Sequence, residues 1–298
     1  MDKKRAITTL ALIGKGQWGK NYITTIHMLA HCQLPDEYIK TRDYPELFQH
    51  PEIQGIIIAT PTIIHFEIAK ECLLRSYNIL IEKPVTKTLQ EALELQNIHQ
   101  EHPRIVMVGH VLLYGAGYKE LKKRLAIVGK IKNLHFTGLK SPVRDDMTPL
   151  EDWLPHPTYL FIDLLGKEPK EIAAKQTGDD TFHVELRFDE NVLGTIDIGW
   201  TWPERKRELV VNGTDGLLML DSNKQAKTLS FEGRTLQKQQ WEISAAQSAL
   251  ALEVLEFVDC ITTGKNPKTG LEQGVEIMRI VEQAKQSLTQ NGKYVTIT

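Results

Sequence analysis

Residues 6–13, AITTLALI, form an uncharged run of β-branched and apolar side chains. They lead directly into Gly14-Lys15-Gly16-Gln17-Trp18-Gly19, and Trp18, Tyr22, Thr25, Ile26 and Leu29 follow at helical spacing. Strand, glycine turn and helix in that order constrain this chain more than any other feature it carries. A strand that is apolar at every position is buried on both faces, as in a parallel sheet covered by helices. The unit recurs. Gly55-Ile56-Ile57-Ile58-Ala59 precedes Thr60-Pro61-Thr62 and a helical face of Ile64, Ile68, Ala69, Cys72 and Leu73. Asn78-Ile79-Leu80-Ile81 precedes Thr88-Leu89-Gln90-Glu91, a capping box ahead of Ala92, Leu95 and Ile98, and 105–108 is a fourth strand. Residues 1–110 are therefore expected to form an α/β, Rossmann-like, doubly wound parallel sheet. Too little chain lies between Gly19 and Gly55 for a full second strand–helix unit, which is expected to be compressed or absent.

After residue 110 the pattern changes. A helix over 117–128 (Tyr118, Leu121, Leu125, Val128) leads into 131–139, and a run of strands follows. In 181–188, Phe182, Val184, Leu186 and Phe188 alternate with His183, Glu185 and Arg187, the mark of a half-exposed antiparallel strand. Asp189-Glu190-Asn191 turns it into 192–200, and 207–211 is expected to pair with 217–220. Helices over 246–263 and 271–289 precede a last strand at 294–297. Residues 111–298 thus read as an α+β domain on a large, mostly antiparallel open sheet. One face of that sheet is expected to make a homodimer or homotetramer, a solvated polar face being the alternative.

A length of 298 residues suits two domains. With 36 basic and 38 acidic residues the net charge is −2, so no basic excess exists to neutralise nucleic acid or an anionic membrane, and neither is an expected partner. Cys32, Cys72 and Cys260 are odd in number and lack metal-ligand spacing, and His27, His31, His65, His99 and His102 are scattered. A metal-dependent hydrolase has little to support it, and no metal is expected. The opening MDKKR before an apolar stretch resembles a secretory leader, but the glycine cluster stands where a small-residue cleavage site belongs. No apolar run approaches the ~18 residues that cross a bilayer. A reduced, cytoplasmic protein is the expectation.

In G-x-G-x-x-G, Gly14 permits a tight turn, Gly16 lets the backbone approach a pyrophosphate and Gly19 packs helix on strand; a turn without ligand is the alternative. The acid that normally holds the adenosine ribose is missing, since Asp36, Glu37 and Asp43 lie near the right distance but none ends an apolar strand. Ligands of such sheets sit at the carboxyl ends of the strands, where Thr60-Pro61-Thr62, Glu82-Lys83-Pro84 and Gly109-His110 are expected. Lys83 directly after a buried strand suits proton transfer; a surface Lys-Pro turn is the bland reading. Asp152 and His156 are i and i+4, so on a helix the carboxylate could orient the imidazole. Pro155 and Pro157 fit only within a first turn; if a helix starts at His156, Asp152 reads more simply as a cap. Arg144, in the loop 140–150, could meet a phosphate or carboxylate or be solvated.

The sequence Gly-Lys-Gly-Gln-Trp-Gly, Ala59-Thr60-Pro61-Thr62 with His65, Glu82-Lys83-Pro84, Val108-Gly109-His110, and Asp152 and His156 ahead of Leu164-Leu165-Gly166 resembles, in this order, the glucose-fructose oxidoreductase / inositol dehydrogenase (Gfo/Idh/MocA) family. Gly199-Trp200, Arg207-Glu208-Leu209 and the last two helices extend the likeness over nearly the whole chain. Leu154-Pro155-His156 with Tyr114 and Trp200 looks most like the branch acting on nucleotide-linked sugars. The resemblance implies an NAD- or NADP-dependent oxidoreductase acting on a secondary alcohol or ketone of a sugar, cyclitol or sugar nucleotide. It implies Lys83, Asp152 and His156 as the catalytic set. It also implies Gly14, Gly16, Gln17, Trp18, Gly19, Thr60, Pro61, Thr62, His65, Glu82, Lys83 and Pro84 as dinucleotide contacts, with His110, Tyr114, Arg144 and Trp200 toward substrate. The alternative is a non-catalytic member serving as ligand sensor or partner-binding scaffold.

Overall fold

The computed structural model describes residues 7–41, 43–223, 227–235 and 237–298; the basic start and Ala6 lie outside these. Strand β1 (Thr8–Ile13) runs into α1 (Gln17–His27), followed by two short strands, β2 (Cys32–Gln33) and β3 (Ile39–Lys40). Then come β4 (Gly55–Ile58), α2 (His65–Leu74), β5 (Asn78–Glu82), α3 (Leu89–Glu101) and β6 (Val106–Gly109). The sheet order is β2-β1-β4-β5-β6 with β3 also on β1, and every pairing is parallel. Ile13 pairs with Ile58, Ile58 with Ile81 and Ile81 with Val108, which aligns the carboxyl ends of four strands along one edge. Leu10 to Ile13, Ile56 to Ile58 and Ile79 to Ile81 are all fully buried, which is why these strands show no alternation.

The second strand–helix unit is present in fragments. Its strand is split into β2 and β3 by a 3-10 turn at Asp36–Tyr38, and a 3-10 helix, Tyr44–Gln49, stands where its helix would be. Two smaller expectations change as well. Ile64 lies just before α2 and is exposed, and the expected helix over 117–128 is α4 (Ala116–Lys123) followed by a 3-10 turn that stops at Gly129, where φ is +72°.

The second sheet comprises β7 (Ile131–Leu139), then, after α5 (Pro149–Trp153) and α6 (Pro155–Leu165), β8 (Glu171–Gln176), β9 (Thr181–Arg187) and β10 (Leu193–Gly199). It continues through β11 (Lys206–Gly213), β12 (Gly216–Asp221), β13 (Lys227–Gly233) and β14 (Lys238–Ile243). Helices α7 (Ala249–Thr263) and α8 (Leu271–Thr289) precede β15 (Val295–Thr296). The nine strands run β14-β13-β12-β11-β7-β10-β9-β8-β15, antiparallel except for β7 and β10. On β9, Phe182, Val184 and Leu186 are buried in the core, whereas His183 and Glu185 on the other face are half-buried. That second face is polar: His135 Nδ1 lies 2.8 Å from Thr195 Oγ1 and His183 Nδ1 2.7 Å from Asp197 Oδ1.

The chain divides into two compact units, one holding the chain up to Val111 with Gln247–Met278, the other Leu112–Ala246 with Arg279–Thr298. A single boundary at residue 110 is therefore replaced by a chain that leaves the first unit and returns to it. The reason is local: Ile261 and Phe257 of α7 lie 2.7 and 2.9 Å from where a Cβ at Gly55 would stand, so that glycine lets the helix close on β4. Cys32, Cys72 and Cys260 are buried and unpaired. Among the described residues no helix is long and apolar enough to cross a membrane, and no cluster of three His, Cys, Asp or Glu is arranged to hold a metal ion.

Candidate active site

In the first unit the glycine turn follows from backbone geometry. Gly14 has φ +112°, and a Cβ there would collide with the carbonyl of Ala59. A Cβ at Gly19 would strike the carbonyl of Gly14, so helix α1 leaves the strand as closely as backbones allow. Gly16 is different: it is the N-cap of α1, has no side-chain cap, and faces space with no atom within 4 Å of its ideal Cβ. The first amides of α1 thus face an open cradle with no side-chain cap among the described residues, which fits the diphosphate of a dinucleotide. Gln17 is exposed and Trp18 half-buried beside it.

The amide of Gly14 donates to the carbonyl of Lys40 at 2.9 Å, which lays the carboxyl end of β3 beside this turn. Of the three acids near the ribose position, Asp36 and Glu37 precede β3, and Asp43 alone lies beyond its carboxyl end. Lys40 itself is ion-paired with Glu46 at 2.7 Å.

Along the same edge, Thr60-Pro61-Thr62 follows β4, and Lys83 and Pro84 follow Glu82, the last residue of β5, through a cis Lys83–Pro84 bond. His65, at the start of α2, joins the two loops, with Nδ1 2.9 Å from the Pro84 carbonyl and Nε2 2.9 Å from the Thr60 carbonyl. Its ring is committed to holding these loops in register. Lys83 is 8% exposed, so it belongs to the buried strand end and not to a surface turn. The Lys83 amide donates to Glu82 Oε2 at 3.3 Å, and the Tyr22 hydroxyl of α1 donates to Glu82 Oε1 at 2.9 Å. His110, just beyond β6, is buried; loss of hydration and the nearby Lys83 charge push its imidazole from 6.5 down to about 3, so the ring is neutral at physiological pH.

In the second unit, Thr148 caps α5 in a reciprocal box with Glu151, and Leu154, the N-cap of α6, makes no side-chain bond, so Asp152 caps neither helix. The residue is nearly buried, its Oδ2 accepts from the Trp200 indole at 3.3 Å, and its Oδ1 is 3.7 Å from Arg144. Arg144 also grips Asp146 with two bonds of 2.9 and 2.8 Å, so its guanidinium serves inside the loop. His156, one residue into α6 after Pro155, has its ring centroid 5.5 Å from that of Trp153. Trp153 is fixed from both sides, donating to Ser141 Oγ at 2.8 Å and lying under the Arg207 guanidinium at 3.9 Å. Tyr114 is buried, with the Lys119 ammonium 5.8 Å from its ring centroid.

Sequence reasoning gave no site role to Tyr22, Glu253 or Arg207, although Arg207 entered the family resemblance. Tyr22 reads as ordinary helix core. Glu253 carried a signal, an acid on the helical stripe of Leu250, Val254 and Phe257, where an apolar residue is the norm.

Comparison with known proteins matches residues 9–110 to the family model "Oxidoreductase family, NAD-binding Rossmann fold" and residues 141–297 to "Oxidoreductase family, C-terminal alpha/beta domain". The chain belongs to the Gfo/Idh/MocA oxidoreductase family. This member is 26% identical to the uncharacterized oxidoreductase YrbE of Bacillus subtilis over 93% of each chain. It is 25% identical to the scyllo-inositol 2-dehydrogenase (NAD(+)) of the same organism, over 76% of this chain and 73% of that one. Its fold matches the inositol dehydrogenase homologue from Azotobacter vinelandii, crystallised with NADH and myo-inositol, with a TM-score of 0.84 at 18% identity over 98% of both chains. As a Gfo/Idh/MocA member it is an oxidoreductase with an NAD-binding Rossmann domain.

Proposed function

We propose that the protein interconverts a secondary alcohol and a ketone on a sugar, cyclitol or sugar nucleotide, using NAD or NADP held by the first unit. The observation that carries this reading is Lys83, buried at the carboxyl end of β5 on the sheet edge that also bears the open glycine cradle. When bound, the nicotinamide supplies or accepts the hydride. Gly14, Gly16, Gln17, Trp18 and Gly19 would hold the diphosphate, and Thr60–Thr62 and Glu82–Pro84 the nicotinamide half. Lys83 hydrogen-bonds the reacting oxygen and stabilises the charge that develops on it. His156 moves the hydroxyl proton, and Asp152 steadies it, itself held by Trp200 and Arg144. Lys83 and His156 exchange roles in an equally balanced version, which the pH profile of each variant separates. The second unit binds the substrate, and its open sheet joins copies into a dimer or tetramer, a point that light scattering decides.

The test begins with titration of NADH and NADPH, followed by quenching of Trp18 and calorimetry. Micromolar binding identifies the cofactor and justifies a turnover screen over cyclitols, sugars and sugar nucleotides. Lys83→Ala is expected to lower turnover by more than about 10²-fold with dinucleotide affinity retained. Near-normal turnover of that variant, or no dinucleotide binding at millimolar concentration, removes this reading and favours a ligand sensor.

A further inference from the structure

One hydroxyl away from Glu82 lies a second carboxyl that the proposed chemistry does not use. Glu253 of α7 is completely buried, and its Oε2 stands 3.4 Å from the Tyr22 hydroxyl, the same hydroxyl that lies 2.9 Å from Glu82 Oε1. A phenol has one proton to give. With that proton committed to Glu82, the approach of Glu253 is favourable only if Glu253 brings a proton of its own. Its other oxygen, Oε1, has no side-chain hydrogen-bond partner among the described residues, and the His110 backbone amide is the further donor that bears on this carboxyl, a sparse setting that suits a neutral acid better than a carboxylate.

We infer that Glu253, as a neutral acid, and Tyr22 form a hydrogen-bonded chain that holds the Glu82 carboxylate against the Lys83 amide, making both positioning residues for Lys83. The donors run in one direction: the Glu253 acid proton to the Tyr22 oxygen, the Tyr22 proton to Glu82 Oε1, and the Lys83 amide to Glu82 Oε2. Every group facing Glu253 bears on this state. Burial raises its carboxyl well above the usual carboxylate range, the Glu82 charge on β5 adds to the rise and Glu256 on its own helix adds a little, while the His110 backbone amide and Tyr22 on α1 oppose it. Tyr22 is raised by the same burial and the same two carboxyls, so it stays a donor. Gly109, at the end of β6, leaves room for the arrangement, since a Cβ there would stand 3.3 Å from the Glu82 carboxyl carbon. One negative charge thus sits at the base of the Lys83 turn where two would repel.

The inference rests on the proposed role of Lys83, and two readouts keep it separate from that role. The first is an infrared difference spectrum at neutral pH between the native protein and Glu253→Gln. A protonated-carboxyl C=O band present in the native protein and missing from the variant is expected; no such band overturns the inference whatever the enzyme does. The second is kinetic. Glu253→Gln, neutral and able to donate, is expected to keep kcat within about threefold, whereas Glu253→Leu lowers kcat by about tenfold or more and changes dinucleotide Kd far less, because the Lys83 turn shifts while the glycine turn at Gly14–Gly19 stays in place. Should Glu253→Leu fail to fold, Tyr22→Phe, which removes only the hydroxyl, is expected to show the same kcat loss. Equal damage from Gln and Leu, or full activity in Tyr22→Phe, overturns the positioning role. If Lys83→Ala turns out active, the catalytic reading falls while the infrared band remains.

Discussion

His110 shows how far a single side chain is moved from its solution chemistry by where the strand ends. Its imidazole is fully enclosed and lies near the Lys83 charge, so protonation is displaced from 6.5 to about 3. Between those values the unfolded chain binds a proton that the folded chain refuses. Stability therefore rises with pH through this window, is complete above about 6.5 and is lost progressively as pH falls toward 3. The slope for one proton is about 1.4 kcal/mol per pH unit. Native protein is expected to lose about 2 kcal/mol more than His110→Asn between pH 6.5 and 5, read from urea unfolding at both values. Parallel losses in the two proteins would show that the imidazole does not carry this dependence. At this scale the sequence was informative where a residue type is tied to a motif: Gly14, Gly19 and Lys83 stand where their spacing puts them. It was silent where the partner is remote, as with Tyr22 and Glu253, which are separated by more than half the chain yet meet directly, the Tyr22 hydroxyl standing between the Glu253 and Glu82 carboxyls.

Elements whose ends are set by local chemistry were legible, and those shaped by their neighbours were not. The capping box Thr88–Glu91 marks the start of α3, and the same signature at Thr148–Glu151 starts α5, although there the two prolines after Asp152 obscured a helix pair joined at Leu154. The split of the second strand into β2 and β3 had no local signal, because two-residue strands are formed by pairing with β1, not by propensity. The box on α5 has a consequence for the candidate site, since α5 carries Asp152 one residue after Glu151. Thr148→Ala removes the hydroxyl that accepts the Glu151 amide and is expected to cost about 1 kcal/mol. Glu151 also binds Lys285 at 2.9 Å, so the helix keeps one anchor and the loss stays local. Hydrogen exchange is expected to show faster opening of 149–153 with β9 and β10 unchanged; protected amides throughout α5 would mean the cap is not what sets this helix.

For the whole molecule, the decisive feature is that the chain leaves the first unit at Val111 and comes back with Gln247–Met278. The shift from apolar strands to alternating ones near residue 110 reveals the departure, but nothing in the period of α7 says which core its apolar stripe will join. That choice is made by shape: Gly55 has no side chain, so the rings and methyls of Phe257 and Ile261 close on β4, while Gly274 of α8 does the same against Val108 and Val85. The first sheet is thus completed by residues encoded far beyond it, and its stability is expected to depend on them. Phe257, fully buried, would leave a cavity if cut to alanine, at a cost of about 3–5 kcal/mol. Because stability is distributed by cooperative region, that cost should fall on one sheet. In Phe257→Ala, amides of β1, β4 and β5 are expected to lose protection by about that amount, and dinucleotide affinity to fall at temperatures the native protein tolerates, while β9 and β10 keep their protection. If protection is lost instead from β9 and β10, α7 serves the second sheet and the return of the chain is not what completes the dinucleotide-binding unit.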